Sequence, residues 1–248
     1  GGPSLRLANL LQLQHNLSVD LYVEKTLAKA RLIVLRLLGG ASYWSYGLEQ
    51  IAALARDKAI ALAVLPGDAA ADPALTAHST LEARHCERLR QYLVAGGEVN
   101  ARSFLAYCAH LVAGEEVPEP ATLLPKAGLH RDTSSGDRPM AAITFYRSVL
   151  EGAQTAPVDA LIDALAARGI GCRAIYVASL KDSASVSFLS ESLKDRNPDV
   201  ILNATSFAVA SGGVADPLAV FDCPVLQVVL AGSAEEAWKT SSQGLNAR

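Results

Sequence analysis

The sequence predicts an α/β protein: two flavodoxin-like parallel-sheet domains with flanking helices. Three observations predict it. Short apolar runs alternate with segments whose apolar residues recur at helical spacing, the pattern of βαβ units. Turns bearing glycine or proline close these runs. The alternation occurs twice, on either side of a proline-rich stretch.

Residues 5–11 are short and apolar enough for a first strand. Ser18 suits the N-cap of a helix over about 19–30, with Asp20 and Glu24 early and Lys25 and Lys29 late, an order that complements the helix dipole. Residues 32–38 are continuously apolar apart from Arg36, as in a strand buried on both faces, and Gly39-Gly40 end them. A helix over 47–58 follows, with Leu48, Ile51, Ala52 and Ala55 on one face. Residues 60–65 form the next strand, closed by Pro66-Gly67-Asp68, and two further helices cover about 73–95 and 100–113. From 114 to 139 the prolines Pro118, Pro120, Pro125 and Pro139, with Ser134-Ser135-Gly136, read as a linker or surface crossing. The second unit then runs as a strand at 141–149 and a helix capped by Thr155 with Pro157 in its first turn and Gly169 at its stop. A strand at 172–178, a helix over 184–196, and strands at 200–204 and 225–230 complete it. Ser233 and Glu236 make a capping box for a last helix. The expected domains are 1–113, the crossing 114–139, and 140–248.

The formal charge is −3, without the basic footprint of a nucleic-acid binder. No apolar run reaches 18 residues, so no membrane span is expected, and no signal peptide is visible. Cys86, Cys108, Cys172 and Cys223 are scattered with no C-x-x-C pair, as buried thiols in a reducing compartment are, and a cytoplasmic location is expected. The N-x-S/T sequons at Asn16 and Asn203 then carry no glycosylation. The chain starts Gly1-Gly2-Pro3 and its one methionine is Met140, so it is expected to be a piece of something longer.

Ligands of open parallel sheets bind beyond the carboxyl ends of the strands, which selects four loops. The first, 39–49, combines two glycines with Tyr43, Trp44, Tyr46 and Glu49. The glycines permit a sharp turn and close approach, and the rings offer a flat apolar surface; the alternative is packing of the rings against protein. The second runs from Leu202 through Asn203, Thr205 and Ser206 to Ser211-Gly212-Gly213, with groups that can bond amides or carboxylates, or cap their own turns. The third, 231–236, spends Glu236 in the cap and leaves Glu235 as a free carboxylate or a solvated first-turn acid. The fourth is 151–155. His15, His78, His85 and His110 show no metal-ligand spacing. The P-loop, the dinucleotide glycine motif and the nucleophile elbow are missing, which disfavours a self-contained ATPase, a standard dinucleotide enzyme and a serine hydrolase.

The stretch SLRLANLLQLQHNLSVDLYVEKTLAKARLIVLRLLGGASYWSYGLEQIAALA resembles the N-terminal region of the large subunit of aerobic, ATP-dependent cobaltochelatases, a family homologous to the magnesium chelatase large subunit. TAPVDALIDALAARG, VASLKD, PDVILNATSFAV and CPVLQVVLAGSAEEAW resemble successive later blocks, so the likeness spans essentially the whole chain. It implies an N-terminal part of a multi-subunit ligase, inactive alone, that inserts cobalt(II) into hydrogenobyrinic acid a,c-diamide in aerobic cobalamin biosynthesis. Mg-ATP is used by separate AAA+ motor subunits and not by this chain. Tyr43, Trp44 and Tyr46 would then wall the tetrapyrrole, and Asn203, Thr205 and Ser206 would bond its peripheral groups. Insertion also needs acceptors for the ring N–H protons and a transient hold on the metal. Glu49, Glu235 and His15 are the groups of that type in these loops. Two other readings stay open: an interaction module that docks the motor subunits, and the equivalent region of a magnesium chelatase. A free-standing flavodoxin-like binder of a nucleotide or small anion is a third.

Overall fold

The computed structural model describes residues 4–205, 216–231 and 235–240. The chain divides into two compact units, Gly1–Leu123 and Leu124–Arg248. The sheets are mostly parallel and flanked by helices, as expected of an α/β chain. No helix among the described residues is long and apolar enough to cross a membrane.

In the first unit, α1 (Asn16–Lys25) leads to strand β1 (Leu32–Leu37), helix α2 (Ser45–Asp57) and strand β2 (Ala61–Pro66). β1 and β2 pair in parallel from Leu32↔Ala61 to Leu37↔Pro66. Side chains alternate across a strand, so Ile33, Leu35 and Leu37 share a face and pack with Leu48, Ile51, Ala52 and Ala55 of α2. The other face of β1 is half-buried, with Arg36 exposed, so the strand is not buried on both sides as expected. Ala63 and Leu65 of β2 face the opposite way, onto α4 (Ala83–Ala95) and α5 (Gly97–Ala113), through Cys86, Leu89, Tyr92 and Tyr107.

This sheet has two strands among the described residues, not the three expected. Residues 5–11 are largely exposed coil entering a short 3₁₀ turn, with Leu7 87% exposed. The outer edge of β2 is already occupied. Thr80 Oγ1 accepts from Leu62 N–H and Ser79 Oγ from Val64 N–H, both at 2.8 Å, while Thr80 and Leu81 N–H donate to the Leu62 carbonyl. That use of Ser79 and Thr80 also splits the expected long helix into α3 (Pro73–Thr76) and α4. The N-cap of α1 is His15, and Ser18 lies inside the helix. The proline-bearing segment after α5 is tied back to the helices. Arg88 donates to the Pro118 carbonyl at 2.8 Å, the Tyr92 hydroxyl to the Glu119 carbonyl at 2.6 Å, and buried Asn100 exchanges hydrogen bonds with the Thr122 backbone.

The second unit begins with β3 (Ala127–Asp132), a strand inside the 114–139 segment. Then come β4 (Met140–Tyr146), α6 (Arg147–Glu151), α7 (Ala156–Ala166), β5 (Gly171–Val177), α8 (Ser183–Leu193), β6 (Val200–Asn203), β7 (Val225–Gln227) and α9 (Glu235–Thr240). The sheet order is β3-β5-β4-β6-β7, with β3 antiparallel and the rest parallel. The four parallel strands, counted along the chain, lie 2-1-3-4, the order of a flavodoxin-like doubly wound sheet. One face packs Met140, Ala142, Ile175 and Ile201 with Leu189 and Leu193 of α8. The other packs Ile143, Phe145, Ala174 and Leu202 with Val158 and Ile162 of α7. α8 is capped by Asp182, whose carboxylate accepts from Ser185 N–H at 3.0 Å. Thr155 precedes α7 without a side-chain cap. Ser233 of the expected capping box lies outside the described residues.

Candidate functional site

In the first unit the carboxyl ends of β1 and β2 open onto a cleft of about 240 Å³. Gly39 and Gly40 line one side in the left-handed region, at φ of +94° and +78°, which L side chains rarely adopt. Gly67 lines another part, and there the backbones crowd: a Cβ on it would sit 2.7 Å from Leu38 Cα. Asp68 and Asp72 stand at the rim, each with one carboxylate oxygen accepting a backbone N–H, from Ala70 at 3.0 Å and Leu75 at 2.9 Å.

The three aromatic residues of the adjoining turn have different tasks. Trp44 is half-buried against the core of the first unit, and its Nε1–H donates to the Leu13 carbonyl at 2.8 Å. Its ring covers Gly47, where a Cβ would lie 2.2 Å from the indole. The Tyr46 hydroxyl donates to Asp20 on α1 at 2.8 Å, and that hydrogen bond raises its pKa. Tyr43 is 62% exposed, its ring resting beside Gly39. Of the three, Tyr43 is the ring with an open face. Glu49 is exposed on α2.

In the second unit the strand order reverses between β4 and β6, the kind of switch point beyond whose carboxyl ends open α/β sheets bind their ligands. Asn203 sits there, 3% exposed. Its Oδ1 accepts from Thr144 Oγ1 at 2.9 Å, Thr205 Oγ1 at 2.7 Å and Thr205 N–H at 3.1 Å. Its Nδ2 donates to Gln227 Oε1 at 3.1 Å, and Gln227 Nε2 donates to the Thr205 carbonyl at 2.8 Å. Asn203 and Thr205 are thus engaged with protein, holding the ends of β4, β6 and β7 together. Ser206 lies outside the described residues. Glu235 is exposed at the start of α9 and pairs with Lys239 at 2.6 Å. His15 is exposed in the first unit, and no group of three or more metal-ligating side chains occurs among the described residues.

A sequence model described as CobN/Magnesium Chelatase matches residues 90–248. The chain belongs to the CobN/magnesium chelatase family. It is 44% identical over 271 aligned residues to an aerobic cobaltochelatase subunit CobN of a Sinorhizobium species, covering all of this chain and 21% of that protein. It is 40% identical to the CobN of Pseudomonas aeruginosa, covering 99% of this chain and again 21% of the relative. Among solved structures it is similar to the catalytic subunit of cobaltochelatase from Mycobacterium tuberculosis, with a TM-score of 0.71 and 26% identity over 91% of this chain and 20% of that one. The chain spans about a fifth of the length of the curated relatives it matches.

The structure of this CobN-family chain also contains a pair that sequence reasoning missed. His130 Nε2 lies 2.8 Å from Asp159 Oδ1, and its ring meets Phe145 edge-on at 5.5 Å. His130 falls where the β3–β5 register shifts between Leu129 and Arg131. The bulge sends two consecutive residues onto α7, His130 to Asp159 and Arg131 to Asp163 at 2.8 Å. The His-Arg-Asp run inside a proline-bearing segment is the signal that a charged edge strand was there.

Proposed function

We propose that this chain is part of the large subunit of an aerobic cobaltochelatase, and that it contributes to tetrapyrrole binding while cobalt(II), the substrate metal, is inserted into hydrogenobyrinic acid a,c-diamide. The carrying observation is likeness along the entire chain to two proteins named as cobaltochelatase CobN. Mg-ATP is consumed by AAA+-type partner subunits, and the assembly works in the cytoplasm. Cobalt rather than magnesium follows from the names of those relatives.

The arrangement of these side chains supports a division of labour. Tyr43, with its open ring beside the Gly39–Gly40 turn, is the residue suited to stack on the macrocycle. Trp44 and Tyr46 hold the turn in place for it. Asn203 and Thr205 fix the strand ends from which Ser206 continues. In the first unit Glu49 and His15 are exposed groups able to take a ring proton or touch the metal in passing, and in the second Glu235, exposed and paired with Lys239, is a further carboxylate of that type. Titration of the metal-free corrinoid, followed by its absorbance, tests this reading. The full-length protein should bind it and take up cobalt with its partners and ATP, and Tyr43→Ala should weaken binding about 3- to 10-fold, the worth of one stacked ring. A full-length protein that neither binds the corrinoid nor takes up cobalt refutes the assignment.

A second reading, docking of the motor subunits, is favoured by exposed leucines of the N-terminal part, Leu7 at 87% and Leu17 at 69%. Capture of the partner subunits by this chain, together with corrinoid affinity unchanged in Tyr43→Ala, would select it.

A further inference from the structure

Among the described residues the sheet of the second unit is closed off at one edge and open at the other. At the β3 edge a bulge interrupts the ladder, and His130, Arg131 and Asp132 follow one another in the strand. Charges and bulges are the devices that stop an edge from pairing further. The β7 edge has neither. Val225 is 39% exposed and Leu226 55%, with Val229 just beyond at 54%. Neighbouring residues of a strand face opposite sides, so both faces of β7 are uncovered. β4 and β5 in the same sheet are buried along nearly their whole length, as strands of parallel sheets are.

Among the described residues the backbone of this edge is equally open. Ile201 N–H donates to the Pro224 carbonyl at 2.9 Å and Val228 N–H to the Asn203 carbonyl at 2.8 Å. Alternate residues therefore face β6, and Val225 and Gln227 direct their N–H and C=O groups away from it. Among the described residues no strand lies on that side.

We propose that β7 takes up one more parallel strand, supplied by the remainder of the longer polypeptide in which the family carries this stretch. Two observations choose that occupant. The order 2-1-3-4 extends to 2-1-3-4-5 by a strand at this edge, and a strand added in parallel beside β7 is one that chain following β7 would reach by the right-handed crossover usual for such pairs. The curated relatives are about five times the length matched by this chain, so they hold ample sequence for the strand and its covering helix.

Hydrogen–deuterium exchange resolved to single amides tests the proposal, comparing the 248-residue chain with a full-length family protein containing this stretch. The amides of Val225 and Gln227 exchange freely in the short chain and are slowed by about a hundredfold or more in the long one. Leu226, bonded to β6 in both, is the internal standard. Leu226→Asp leaves the melting temperature of the short chain unchanged and lowers that of the long chain. Three results overturn the proposal: free exchange of both amides in the full-length protein, protection that grows with concentration of the short chain alongside a dimer, or protection that needs an added partner subunit.

Discussion

Thr144 Oγ1 donates to Asn203 Oδ1 at 2.9 Å between the neighbouring strands β4 and β6, and neither side chain is more than 3% exposed. The same oxygen also receives both donors of Thr205, while the Asn203 amide holds Gln227. Inside a protein a polar group left unpaired keeps the full cost of its lost hydration. Asn203→Ala removes the acceptor for two buried hydroxyls and the donor for Gln227, so about 2–4 kcal/mol of stability should be lost, whereas Thr144→Val, which removes one donor, should cost about 1 kcal/mol. Urea unfolding curves measure both. Equal midpoints for the two variants would show that Asn203 is not the centre of the network.

Trp44 and Gly47 form a second coupled pair. The indole occupies the space a Cβ at Gly47 would need, 2.2 Å from the nearest ring atom. Gly47→Ala must therefore expel the ring from its seat, and overpacking of this kind costs about 1–3 kcal/mol. Trp44→Ala loses the burial and the hydrogen bond to the Leu13 carbonyl, about 2–4 kcal/mol for a half-buried indole. In the double variant the two losses should fall short of their sum, because the alanine methyl then occupies space already vacated. Tyr43→Ala, at the exposed ring, should change stability by less than about 0.5 kcal/mol. Chemical denaturation of the four variants separates the ring that supports the turn from the ring that is open.

Much of the framework was legible in the residues, and the exceptions share one cause. β1, α2, β2, β4 and β5 follow from local apolar patterns that match their own periodicity, and the glycines at 39 and 40 stand where the chain reverses. The stretch 5–11 has strand-like composition but is largely exposed coil, and what fills the outer edge of β2 is Ser79 and Thr80, some seventy residues away in sequence. β3 escaped because an edge strand carries charge in place of apolar alternation. His130 escaped with it, since its partner Asp159 lies 29 residues on. Asn203 was visible as a polar residue at a strand end, but sequence does not show whether its hydrogen bonds go to a ligand or, as here, to Thr144, Thr205 and Gln227. Local signals fix elements; partners distant in the chain fix what polar side chains do.

The cysteines give a reactivity prediction. Burial pushes the Cys172 thiol up to about 12 and the Cys108 thiol up to about 11, and raises Cys86 and Cys223 as well. All four are free thiols. Since the thiolate is the nucleophile, each should react slowly with iodoacetamide at pH 8 in the folded chain. Intact mass after a short pulse should show little labelling natively and four additions in denaturant. Rapid native labelling of Cys172 would mean that β5 opens far more readily than its burial implies.

Acid should loosen the second unit through two carboxylates. Burial by itself raises both. At Asp132, the hydrogen bonds from Ser134 and the charge of Arg173 outweigh it; at Asp159, hydrogen bonds from His130 and Thr155 and the charges of His130 and Arg131 do the same. Each carboxyl ends below its ordinary range. A group whose folded pKa lies below its unfolded value stabilises the fold fully above the unfolded pKa, about 3.9 for aspartate. That contribution is lost as the pH falls through the folded value. Stability of this unit should hold from pH 7 down to about 5 on account of these groups and fall below about 4. Asp132→Asn with Asp159→Asn should lower stability at pH 7 and flatten the acid limb. Both partners of Asp159 and Asp132 are partly solvated, so the change at each site should stay near or below about 1 kcal/mol. Urea midpoints measured from pH 7 to 2.5 decide it: an acid limb as steep in the double variant as in the parent would place the acid sensitivity on other carboxylates.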